Sequence, residues 1–155
     1  MTSRHSNIPW TIPVADGPVS VRADRTLAVA VAGVAGFLFV KLWGVQVDPR
    51  GHGTHEAFGM DPCGWPLAYG VPCPACGCTT ASAQVVQGDL LGAVVTQPFG
   101  AAVAMIGLAA GVHAVFCLVR GRSFVDIMVR LPFWQILMGL LLLFFAAWGY
   151  KYMVW

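Results

Sequence analysis

Charge is what this chain has least of. Lysine, arginine, aspartate and glutamate make up 10% of its 155 residues, where a soluble domain carries about 25%. With 57% hydrophobic residues, it has too little polar surface to cover itself in water. Basic residues are too few for a patch interleaved with aromatics, and the formal charge is only +2, so nucleic-acid binding has no support. Internal repeats, low-complexity tracts, a phosphate-binding loop and a nucleophile–base pair are all missing, and the few acids show no paired-carboxylate spacing. What remains is a chain organised by apolar runs.

Three runs come close to the roughly 20 residues that a helix needs to cross a bilayer. The first, 26–47, holds a single charge, Lys41, near its far end, where the side chain snorkels to the interface. The second, 98–119, has no acid or base except His113. The third, 131–150, has no charge and leads into Lys151 and the end of the chain at 155. Trp134 at its start and Trp148, Tyr150, Tyr152 and Trp155 at its end resemble the aromatic belts of membrane interfaces. A long polar segment with Pro9, Pro13 and Pro18 precedes the first run, and no small-residue cleavage site follows it, so the run reads as an uncleaved anchor. The expected fold is an all-α integral membrane protein with three transmembrane helices. One or two short interfacial helices are expected between the first and second.

The distribution of charge orients these helices. Arg4, Arg22 and Arg25 precede the first run, and Arg120, Arg122 and Arg130 lie in the 120–130 connection. The 48–97 connection has only Arg50 beside Asp48, Glu56, Asp61 and Asp89. The positive-inside rule then makes 1–25 a flexible cytoplasmic arm, 120–130 a basic cytoplasmic loop and 48–97 extracytoplasmic. In a bacterial cytoplasmic membrane, that places the cysteines of 48–97 in an oxidising compartment. The tail of the third segment, 131–155, also ends outside.

Fifty residues are too few for a good independent core, so 48–97 needs a staple or the membrane surface to order it. Residues 48–55 read as loop, and Gly64, Pro66, Gly70 and Pro72 keep the chain irregular as far as Cys73. A helix is expected from about 76–80 to Gln87, with Gly88 at its C-cap. Asp89 would cap a second helix over 90–96, and Pro98 takes the first-turn position that proline favours in the second span.

Four of the five cysteines fall between residues 63 and 78. Cys73-Pro-Ala-Cys76-Gly places two thiols three residues apart on a tight turn, which is half of a tetrahedral zinc site. Cys63 is the best third ligand. His55 is the best fourth, His52 is its competitor and Cys78 is a spare. A second Cys-x-x-Cys is missing. The same spacing suits thiol–disulfide exchange, because a cysteine at a helix start has a lowered pKa. A structural disulfide from Cys63 to one of the others is the third reading.

Cys63-x9-Cys73-Pro74-x-Cys76-Gly77-x-Thr79, with Ala81, Gly88-Asp89 and Pro98 following, resembles a family of short bacterial membrane proteins of unknown function. That family carries the motif C-P-x-C-G-x-T-R-A, an upstream cysteine ten positions before it and a glycine three before. Cys63 and Gly70 fill those places, and the likeness covers about 58–120. This chain departs from it at Thr80, where the family has arginine, and at Gln87 and Gln97. The resemblance implies a membrane location and a shared cysteine site, and no activity.

Elsewhere the plain readings are favoured. His113 is a neutral histidine bonded to a backbone carbonyl, Cys117 a packing residue, and Gly107-x-x-x-Gly111 a close-packing stripe within the chain rather than a dimer contact. The functional expectation is a non-enzymatic accessory or structural membrane protein, acting on its own or as a subunit of a larger complex. Lipid and a membrane-protein partner are its expected contacts, and Cys63, Cys73, Cys76 and His55 its staple. The alternative is a thiol–disulfide or metal-handling protein that uses Cys73 and Cys76.

Overall fold

A computed structural model describes the backbone of residues 11–14 and 17–155, with side chains from residue 19 onward. The fold is helical. Three helices are long and apolar enough to cross a membrane: α1 (Val21–Trp43), α5 (Pro98–Arg120) and α7 (Phe133–Met153). Three short helices precede α5, namely α2 (Gly64–Tyr69), α3 (Cys78–Val86) and α4 (Leu90–Thr96), and α6 (Phe124–Arg130) lies between α5 and α7. At about 1.5 Å per residue the long helices reach roughly 31–35 Å, which matches a hydrocarbon core of about 30 Å.

The helix ends differ from the hydropathy limits for local reasons. α1 starts at residue 21 rather than 26, because its first turns contain Arg22, Asp24 and Arg25, which hydropathy does not register. α5 opens on Pro98, whose missing N–H has no intrahelical role in a first turn. α7 starts after Pro132, which holds the N-cap position.

Part of the expected arm over 1–25 is ordered. Thr11–Val14 (β1) and Gly17–Ser20 (β2) pair as an antiparallel hairpin, with Pro13 opposite Pro18. A two-stranded sheet is all edge, so prolines that would break a central ladder are tolerated here. Residues 1–10, 15 and 16 of that arm lie outside the described residues.

The chain divides into two compact units. One contains the hairpin, α1 up to Val34, α5 from Ala110 and α6. It is centred on Asp24, which is almost fully buried. The Asp24 Oδ1 accepts from the Ser123 hydroxyl and the Val125 amide, both at 2.9 Å. Ser123 itself accepts from the Asp126 amide and so caps α6. Arg25 donates to the Cys117 carbonyl at 3.1 Å. Ala28, Ala114, Cys117 and Phe124 pack together beneath these bonds, so Cys117 is a packing residue. His113 does not turn to a carbonyl; its ring lies against Phe124, with its Nε2 3.5 Å from the Cys117 sulfur.

The other unit holds residues 35–109 and 132–155. Its packed centre is Ala81, Val85, Ala93 and Ala101, where α3, α4 and the start of α5 meet. Gly100 makes this possible, because a Cβ there would lie 2.7 Å from the Cys78 Cα. Gly107 is different. A Cβ there would meet nothing within 4 Å, so the chain does not use that glycine for close packing.

Candidate functional site: a cysteine-lined cavity

The site is built on the turn at Cys73–Cys78. The Cys76 amide donates to the Cys73 carbonyl and the Cys78 amide to the Ala75 carbonyl, both at 3.0 Å. Gly77 follows in the left-handed region, with φ +89, and its carbonyl accepts the Ala81 amide as α3 begins. Only glycine takes that conformation without strain. It also answers a close approach, because a Cβ on Gly77 would lie 2.7 Å from the Gly51 carbonyl oxygen.

Distant side chains hold the backbone of this turn. The Trp148 indole donates to the Pro72 carbonyl at 3.1 Å. The buried Gln97 amide donates to the Pro74 carbonyl at 3.4 Å, and its own oxygen accepts from the Phe99 amide. Lys151, only 7% exposed, donates to the carbonyls of Gly51 and Thr96 at 3.1 and 3.3 Å. Beside them, the hydroxyls of Thr54 and Thr80 pair at 2.9 Å, and Thr54 also accepts the Asp48 amide. Thr80 is buried and ties the turn at residues 54–58 to α3.

A cavity of about 280 Å³ opens against this frame. Cys63, Cys73, Cys76 and His55 all line it, as does His52, whereas Cys78 does not. All five cysteines carry free thiols. Cys63, Cys73 and Cys76 lie near enough in this cavity to perturb one another's ionisation. Among the described residues, no three histidine, cysteine, aspartate or glutamate side chains stand together as a set that would hold a metal ion.

The electrostatics favour protonated sulfur. Burial, reinforced by Cys63, pushes the Cys73 thiol up to about 11. Burial also raises Cys76, against the pull of the Lys151 ammonium, and pushes Cys78 up to about 11. Burial lowers His52, helped by the positive charges of Arg50 and Lys151, and its ring lies tilted against Trp155 with centres 4.7 Å apart. On the rim, Arg50 pairs with Asp48 at 2.6 Å and Glu56 at 3.2 Å. The Arg50 hydrogen bond holds the Asp48 carboxyl below its usual range.

Sequence reasoning brought the cysteines and histidines forward but passed over Lys151, Gln97 and Trp148. The one usable signal was Lys151, a lone charge at the end of an uncharged span.

Residues 63–112 match the model of a family described as a protein of unknown function, DUF2752. The match runs from Cys63 through the turn, α3 and α4 into α5. No curated protein and no solved structure matches the chain.

Proposed function

We propose that this is a non-enzymatic structural or accessory protein of a bacterial cytoplasmic membrane. Its 48–97 segment forms an extracytoplasmic cap, stapled through sulfur, that docks a membrane-protein partner. The observation that carries the reading is that Cys63, Cys73 and Cys76, from two separate stretches of the segment, line one cavity. A Cys73 thiol raised to about 11 is the opposite of what a nucleophile needs at neutral pH, which supports a staple over a catalyst. Cys63 perturbs the Cys73 thiol more than Cys76 does, which favours a disulfide between Cys63 and Cys73. Zinc held by Cys63, Cys73, Cys76 and His55 is the second form of the staple: all four line the same cavity, and binding would have to draw them together. Arg22, Arg25, Arg120, Arg122 and Arg130 at the other ends of the spans support an inward N-terminus.

The same cysteines support one other reading, thiol–disulfide exchange through Cys73 and Cys76. Counting free thiols and bound metal on purified protein, oxidised and reduced, separates the three. A disulfide containing Cys73, or one tightly held zinc per chain, supports the staple. Reversible exchange with a partner dithiol at a rate that supports turnover favours the other reading. Fully reduced, metal-free protein with an equally ordered cap removes the staple altogether.

A further inference from the structure

Apolar side chains on α2 are left uncovered: Leu67 is 76% exposed, Tyr69 67% and Trp65 44%. Six residues of helix reach about 9 Å, so α2 is no span. Its depth is nevertheless tied to one. The Pro72 carbonyl is bonded to the Trp148 indole, and only Gly70 and Val71 separate Pro72 from Tyr69. At no more than about 3.6 Å per residue, the Tyr69 Cα lies within roughly 11 Å of the Pro72 Cα. Trp148 stands roughly one and a half turns, or about 7.5 Å, before the end of α7 at Met153. It belongs to the aromatic group of Trp148, Tyr150, Tyr152 and Trp155, which marks a bilayer interface.

A second short helix is fixed at the same level. Tyr150 donates to the Val95 carbonyl at 2.8 Å and Lys151 to that of Thr96, which pins the end of α4 to the last turns of α7. α4 leaves Leu91 83% and Val95 66% exposed, while its Ala93 is buried. Two elements too short to span, both with bare apolar faces, are thus tied to the same end of α7. Trp65 and Tyr69 lie against each other, tilted by 54° with ring centres 5.1 Å apart, and present apolar rings with polar tips, the chemistry that suits a headgroup–acyl boundary.

We propose that α2 is an interfacial membrane anchor. Its Trp65, Leu67 and Tyr69 lie in the boundary layer of the leaflet in which α7 ends, at the level of α4, and they hold the cysteine cavity at headgroup depth. The occupant of this face is lipid. The proposal needs α7 to span the bilayer and does not depend on the state of the sulfurs.

The test uses the full chain in phosphatidylcholine vesicles doped with a phospholipid that carries a diazirine near its glycerol. After irradiation, adducts are mapped by mass spectrometry. Adducts at 65–69 at yields comparable to those at 91–95 are expected. Tyr69→Asp, at an exposed side chain that does not line the cysteine cavity, should cut the adducts at 65–69 several-fold and leave those of α4 unchanged. Labelling confined to α4 and the three long helices overturns the proposal. So does protection of 65–69 in native membranes by a copurifying protein. Thiol counting on the same vesicles reads the staple separately, so either idea can fail alone.

Discussion

Lys151 on α7 donates to the carbonyl oxygen of Gly51, one hundred positions away in the chain, at 3.1 Å. Its second bond, to Thr96 at 3.3 Å, ties the end of α4 to the same ammonium. Among the described residues no carboxylate forms an ion pair with it. The cation is spent on two backbone carbonyls beneath Gly77, with the ammonium 3.5 Å from where a Gly77 Cβ would stand.

Lys151→Met keeps the apolar stem and removes the donor. Hydrogen bonds to charged groups are worth about 1.5–3 kcal/mol each, but taking an ammonium out of water costs several kcal/mol per ion. The bonds are expected to win, because both carbonyls are left without their charged donor. The thermal midpoint in detergent should fall, and protease should cut first within 48–97. A midpoint that rises would show that desolvation dominates.

Gly77→Ala and Gly88→Ala separate two effects. Both glycines lie near φ +90, but a Cβ at Gly88 meets nothing within 4 Å, whereas one at Gly77 strikes the Gly51 oxygen at 2.7 Å. Gly88→Ala should cost about 1–2 kcal/mol for left-handed strain alone. Gly77→Ala should cost clearly more and loosen the turn around Cys76. Equal losses in denaturant titrations would mean that the close approach contributes nothing.

The raised thiol at Cys73 has a defined pH signature in reduced protein. Its ordinary value is 9.0 and in the fold it stands at about 11. Between those values the unfolded chain has released a proton that the folded chain still holds. The contribution is therefore complete below about pH 9 and is lost as pH rises toward 11. Reduced protein should lose stability over that window, and Cys73→Ser should flatten the loss. Alkylation of Cys73 at pH 7.5 should be slow and should rise steeply above pH 10, which peptide mapping would read directly.

Asp24→Ala should destabilise the unit built from the start of α1, the end of α5 and α6. It removes the shared acceptor of the Ser123 hydroxyl and the Val125 amide, at about 1–3 kcal/mol. Asp24→Asn retains a carbonyl oxygen for both donors and should keep most of that stability. Hydrogen exchange at the Val125 amide would report the difference; similar protection in both variants would exclude Asp24 as the acceptor that protects it.

The spans were legible because each is a continuous apolar run whose consequence, burial in lipid, needs no other part of the chain. The turn chemistry was legible for a related reason. Gly77, Gly88, Asp89 and Pro98 act on neighbours within a few residues, and Asp89 does accept the Gly92 amide at 2.9 Å to cap α4. The hairpin was harder to read, since Pro13 and Pro18 argue against a strand until their edge position is known. Trp148 read as a belt residue and Lys151 as no more than the charge that follows the third run, because nothing local reveals that each reaches a carbonyl in the cysteine segment.

Composition and pattern alone determined that three segments suit a bilayer and that sulfur is concentrated between the first two of them. Hydropathy and spacing are properties of contiguous residues, so a linear reading reaches them. Tertiary structure alone decided that Cys63 stands beside Cys73, that Thr80 is spent on Thr54, and that a lysine from the last helix supports the turn. Those contacts join residues 10, 26 and 100 positions apart, and only packing of the helices brings such groups within bonding distance.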